Sequence, residues 1–241
     1  GIFPSILIML IFLLVKFIFR LKWEIFYLLV FSTAFGSLAF FGIPFIMFAF
    51  HDARAESLAV LSAASISIIG VILSVFVLEM FRLETRNILN GAKTVLIRFS
   101  KNPLIISIAI GALLSLSNVR FPVMISSSLH MLGETTATVS IFMLGVFLYG
   151  RRYKNILDAF ALSMLRAVVL PFIAIFTAEY FQLAGIERSI LVLMNAMPVA
   201  ISMIILSERY NFYKDTIASL TLISSIGSII YLPMWLIITG K

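Results

Sequence analysis

The residues best placed to do chemistry in this chain lie in one short stretch, Asn195-Ala-Met-Pro-Val-Ala-Ile-Ser202. Pro198 removes a backbone donor and its ring pushes against the carbonyl one turn earlier. A helix that meets it therefore leaves N–H groups on one side of the break and C=O groups on the other. The positive end of a half-helix attracts an anion, and Asn195 and Ser202 add neutral polar groups that hydrogen-bond a carboxylate without a fixed charge. A second stretch, Phe35-Gly-Ser-Leu-Ala-Phe-Phe-Gly-Ile-Pro-Phe45, breaks an apolar run in the same way and carries Ser37 and Pro44. One such proline alone is more simply a kink packed against its neighbours. Two breaks at corresponding places in two halves point instead to a crossover of interrupted helices, where transporters bind substrate and coupling ions.

The other polar residues inside apolar runs are few. Glu134, in Leu132-Gly-Glu-Thr-Thr-Ala-Thr-Val139, either carries a coupling proton, lines an anion path, or is solvated at a water-filled mouth. Arg166 either pairs with Glu134 or snorkels to the cytoplasmic face, and a structural role is the favoured reading. His130, one turn from Glu134, reads as a packed, hydrogen-bonded histidine. The chain has no cysteine and only two histidines, so disulfides and thiolate metal sites are excluded and no metal-ligand spacing is present. No phosphate loop, nucleophile elbow or nucleophile–base pair appears, so neither an enzyme nor a cofactor is expected.

These residues must be held by membrane-spanning elements. Of 241 residues, 62% are hydrophobic and 12% charged, and the mean hydropathy is +1.14. A soluble domain carries about 25% charged residues, so this is an integral membrane protein. Eight apolar segments are predicted, at 3–19, 25–50, 57–80, 103–117, 122–149, 157–181, 189–207 and 216–239. They are helical because backbone groups in lipid must be satisfied internally. The net charge of +7 reflects loop cations that set orientation, not nucleic-acid binding. Lys16, Arg20, Lys22, the 81–102 loop, Arg151, Arg152, Lys154, Arg209 and Lys214 fall on alternate connections; the opposite connections hold Arg54, Arg120, Arg188 and Lys241. The rich side is predicted to be cytoplasmic, with the 81–102 loop there and the C-terminus outside. The long loop divides the chain into residues 1–80, the last three helices of a first repeat, and 103–241, a second five-helix repeat of inverted topology. A complete protein of this plan has ten helices, so two spans are expected to be missing before Gly1.

Several motifs in order carry a family resemblance. Asn102-Pro103 opens the fourth span, Ser140-Ile-Phe-Met-Leu-Gly145 closes the fifth, and Met164-Leu-Arg-Ala-Val-Val-Leu-Pro171 runs through the sixth. Met197-Pro198 is followed by Ser207-Glu-Arg-Tyr-Asn211, Asp215 and Tyr231-Leu-Pro233, while Gly42-Ile-Pro44 fits the first break. From about residue 31 onward the chain resembles the auxin efflux carrier family, which includes plant auxin carriers and bacterial malonate or malate carriers. The resemblance implies an all-α fold of ten spans in two inverted five-helix repeats, with two broken helices crossing in a domain that moves against a scaffold, usually in a homodimer. It implies export of a small organic anion bound near Ser37, Gly42, Pro44, Asn195, Met197, Pro198 and Ser202, with Pro44 and Pro198 as the crossover prolines. Glu134 stands where plant carriers have an acidic residue, so it is the coupling candidate. Ser37 stands where the family commonly has asparagine, a departure that removes an amide donor and tells against auxin-like recognition. Coupling to a proton, to sodium or to the membrane potential stays open. The competing reading is a non-transporting sensor or an incomplete fragment that keeps the carrier fold.

Overall fold

The computed structural model describes residues 2–83, 97, 100–101, 103–117 and 122–240. The protein is helical: α1 (Ile2–Ile18), α2 (Trp23–Ala34), α3 (Ile43–Phe50), α4 (Ala53–Leu83), α5 (Pro103–Leu116), α6 (Val123–Leu148), α7 (Ile156–Tyr180), α8 (Ile186–Ala196), α9 (Ser202–Tyr210) and α10 (Lys214–Ile238). Three of these, α4 over Ala53–Arg82, α7 and α10, are each long and apolar enough to cross a bilayer. The expected interruptions appear as two pairs of short helices, α2 with α3 and α8 with α9. Most of the 81–102 loop lies outside the described residues.

Helices α1–α4 and α7–α10 pack into one body, and α6 meets that body at the turn before α3. At one end the body is filled by aromatic contacts: Phe212 lies edge-on to Phe31 at 5.5 Å and to Phe81 at 4.7 Å between ring centres. Toward the other end, α4 turns Ala55, Ala59 and Ala63 inward, all buried. Small residues one turn apart let backbones approach closely where lipid supplies no hydrophobic drive for association. Ile46 of α3 and Leu193 and Met194 of α8 fill the same cluster.

Two prolines leave a matching signature. A five-residue π-turn, Leu38–Gly42, precedes α3, whose second residue is Pro44, and another, Leu165–Val169, lies inside α7 just before Leu170-Pro171. Proline cannot donate to the carbonyl four residues back, so the ladder shifts register by one and absorbs the defect. In α7 the shift frees the carbonyl of Ala167, and the indole Nε1–H of Trp235 on α10 donates to it at 2.7 Å.

Candidate functional site at the helix crossing

Helix α2 stops at Ala34 and α8 stops at Ala196, and the chains beyond them run extended past each other. They pair as a single antiparallel bridge between Gly36 and Val199. The Ser37 N–H donates to the Pro198 carbonyl at 2.8 Å, and the Ala200 N–H donates to the Phe35 carbonyl at 3.1 Å. The Val199 N–H donates to the Ser224 hydroxyl of α10 at 3.2 Å. Groups released by each break are thus satisfied by the other break, as a dry interior requires.

The carbonyl ends of α2 and α8 converge on Arg166. This side chain is 2% exposed. Its Nε–H donates to the Met197 carbonyl at 2.6 Å, and its Nη1 donates to the Thr33 carbonyl. The sequence reading favoured a structural role for Arg166 over a pairing with Glu134 or a place at the cytoplasmic face; the structure gives it a structural place inside the crossing, and the Glu134 side chain lies outside the described residues. The reason is local: Arg166 sits within the π-turn before Pro171, and the altered register of that turn aims it inward. Each helix C-terminus carries roughly half a negative charge, so two of them roughly balance one guanidinium.

The amide ends remain open. Among the described residues, the N–H groups of Ala39 and Phe40, within the first π-turn, and of Ile201 and Ser202, the cap and first residue of α9, have no backbone acceptor. The Ser37 hydroxyl makes no capping bond. A cleft beside them is lined by Ser37, Phe40, Pro198 and Ile201, with Ser225 of α10 and Leu144 of α6 opposite, and holds room for little more than a water, about 10 Å³.

The structure gathers Ser37, Met197 and Pro198 at the crossing and sets Ser202 at the start of α9. Gly42 lies where the π-turn presses on the end of α8: a Cβ there would meet Met194 Sδ and Met197 Cγ, both at 3.1 Å. Asn195 is buried, and its amide nitrogen donates back to the Leu191 carbonyl of its own helix at 2.8 Å. The first crossing is formed by Phe35–Ser37, so Pro44 stands beyond the π-turn on α3 and not at the crossing itself. Glu134 is on α6, and its side chain lies outside the described residues. Sequence reasoning passed over Gly36, Ser224 and Trp235 and did not bring Arg166 to the site. An arginine in mid-span five residues before a proline is the signal that was available. Among the described residues no cluster of His, Asp or Glu could hold a metal ion.

The loops sort by end. Near one end of the body Arg151 pairs with Glu208, Lys154 with Asp215 at 3.3 Å, and Tyr210 donates to buried Glu79. A cavity of about 400 Å³ opens there between the 149–152 loop and the start of α10. Tyr213, also at this end, has its pKa raised by burial first and then by the Glu24 carboxylate, to which it is hydrogen-bonded. At the opposite end Arg54 pairs with Glu187 at 2.6 Å and Arg188 with Glu179 at 3.6 Å. This division follows the two groups of connections read from the charges.

The family pattern described as "Membrane transport protein" matches residues 2–236. The chain is 21% identical over 150 residues to the uncharacterized transporter YfdV of Escherichia coli K12, covering 62% of this chain and 48% of that protein. It is 26% identical over 115 residues to the uncharacterized transporter MJ1031 of Methanocaldococcus jannaschii, covering 47% of this chain and 37% of that one. The chain therefore spans about half the length, or less, of these curated relatives.

Proposed function

The chain belongs to the membrane transport protein family, the auxin efflux carriers, and from that premise we propose that it is a secondary carrier of small organic anions whose substrate sits on the amide side of the crossing. The observation that carries this reading is the asymmetry of the crossing. Its carbonyl side is charge-balanced by Arg166. Its amide side presents two half-helix N-termini, each worth roughly half a positive charge, with free N–H groups and the Ser37 hydroxyl. About one net positive charge held by neutral donors suits one carboxylate. Ser202 begins α9 on this side, while Asn195, buried in the last turn of α8, is carried as a candidate from the sequence.

The cleft is too small for a carboxylic acid as it stands. Leu144 of α6 closes it, so binding requires α6 to shift against the body. Such relative motion of two helix groups around a fixed site is how carriers alternate access. In this reading α2–α3 and α8–α9 are counterparts in two inverted repeats, the body moves, α5 and α6 belong to the scaffold, and Glu134 on α6 is a candidate for proton coupling. The Lys/Arg-rich end faces the cytoplasm, and the whole protein works as a homodimer.

The test is thermal stabilisation of the purified protein by malonate, malate and an aromatic acetic acid, against Asn195→Ala and Pro198→Ala. One acid should raise the unfolding midpoint of the parent protein and lose that effect in both variants while they still fold. Equal stabilisation of parent and variants would overturn the site, and no response to any acid would favour a non-transporting role.

A further inference from the structure

We propose that Arg166 is the crossing's built-in counter-cation: a positioning residue whose guanidinium occupies the place between the two half-helix C-termini that a metal cation would otherwise take. Carbonyl oxygens at the negative ends of α2 and α8 point at one position, which is the ligand chemistry of a hard cation. In this chain those oxygens are already engaged. Met197 O accepts from Nε and Thr33 O from Nη1, so this single side chain joins residues 33 and 166, which are 133 positions apart in sequence.

The surroundings are built to keep it there. Gly36 has no side chain, and any Cβ at that position would overlap Nη2 at 1.6 Å. The π-turn Leu165–Val169 sets the register of Arg166, and Trp235 holds the neighbouring Ala167 carbonyl at 2.7 Å. A planar fork with donors at fixed spacing bridges two carbonyls in a way that a point charge does not. The guanidinium is also part of α7 itself, so this cation does not leave during a cycle. The carbonyl side of the crossing thus needs no alkali metal ion to assemble, and any coupling ion must act elsewhere.

This inference concerns the carbonyl side alone and does not depend on which anion binds opposite. The experiment is the unfolding midpoint of the purified protein in lipid nanodiscs, at equal ionic strength in sodium, potassium and choline chloride. The parent protein should unfold at the same temperature in all three. Arg166→Ala should unfold at a lower temperature and recover part of the loss in millimolar methylguanidinium or in sodium relative to choline. Arg166→Lys should fall between parent and alanine variant, and it serves as the folded comparison if the alanine variant does not fold. An alanine variant that gains no more from sodium over choline, or from methylguanidinium, than the parent protein does would overturn the proposal. So would an Arg166→Lys variant as sensitive as alanine and unmoved by any cation, or an alanine variant as stable as the parent. The readout is stability without added acid, so its failure is separate from failure of the anion site.

Discussion

Gly36 and Arg166 occupy one space between them: a Cβ built on Gly36 falls 1.6 Å from the Nη2 of Arg166. Gly36 has no positive φ, so glycine is required here by the neighbour and not by backbone conformation. Gly36→Ala must displace the guanidinium from its present place, and with it the bonds to the two carbonyls, or push on the bridge with Val199. Breaking the contacts of a buried charge costs about 3–5 kcal/mol. The expected outcome is a large drop in the chemical-denaturation midpoint. Gly36→Ala combined with Arg166→Ala should cost clearly less than the sum of the two, because the clash is gone once the long side chain is removed.

Pro171 and Trp235 make a second coupled pair. Pro171 leaves the Ala167 carbonyl without its helical donor, and Trp235 supplies one at 2.7 Å. Trp235→Phe keeps a ring against Phe172, which lies edge-on at 5.2 Å, but orphans that carbonyl at a cost of about 1–3 kcal/mol. In a Pro171→Ala background the restored N–H is available to the same carbonyl. The penalty of Trp235→Phe should then shrink to its packing component. A double-mutant cycle on unfolding free energy measures the difference, and full additivity would show that the indole does not serve this role.

The charged end gives a pH prediction. Tyr213 has its pKa raised above the ordinary 10.0 by burial and then by Glu24. A raised folded-state value means the neutral phenol is favoured by folding. Its contribution is therefore complete below pH 10 and is lost as pH rises through the higher folded value. Spectroscopic titration of tyrosinate should lose one of its late-titrating groups in Tyr213→Phe, and the alkaline loss of stability should be shallower in that variant.

These relationships also show what a sequence of this kind reveals. The apolar runs are legible because lipid admits little besides helix, and the segments read at 57–80 and 216–239 correspond to α4 and α10 within a few residues. Pro198 announced its break because proline in a span has few other uses. Arg166 did not announce its partners, since carbonyls of Thr33 and Met197 have no side-chain signature and their meeting is set by tertiary packing. Pro44 lies at the far end of the broken stretch read from the sequence. The π-turn before it absorbs the missing donor, so the actual break moves upstream to Phe35–Ser37, where the signal is only a glycine and a serine.

The last prediction tests whether the crossing is braced from behind. Helix α4 passes the end of α2 at Gly70, where a Cβ would lie 2.5 Å from the Ala34 carbonyl and 2.9 Å from a ring carbon of Phe35. Backbone cannot yield as a flexible side chain does, so Gly70→Ala must move the whole end of α2 by a fraction of an ångström. Overpacking of this kind costs about 1–3 kcal/mol. The displaced groups include the Phe35 carbonyl that accepts from Ala200 and the Thr33 carbonyl that accepts from Arg166. Gly70→Ala should therefore lower stability and also weaken any acid-induced stabilisation, although Gly70 lines no part of the cleft. Gly111→Ala on α5 and Gly133→Ala on α6, where nothing among the described residues lies within 4 Å, should leave the unfolding midpoint near that of the parent. If Gly70→Ala behaved like those two, α4 would be a neighbour of the crossing and not its support.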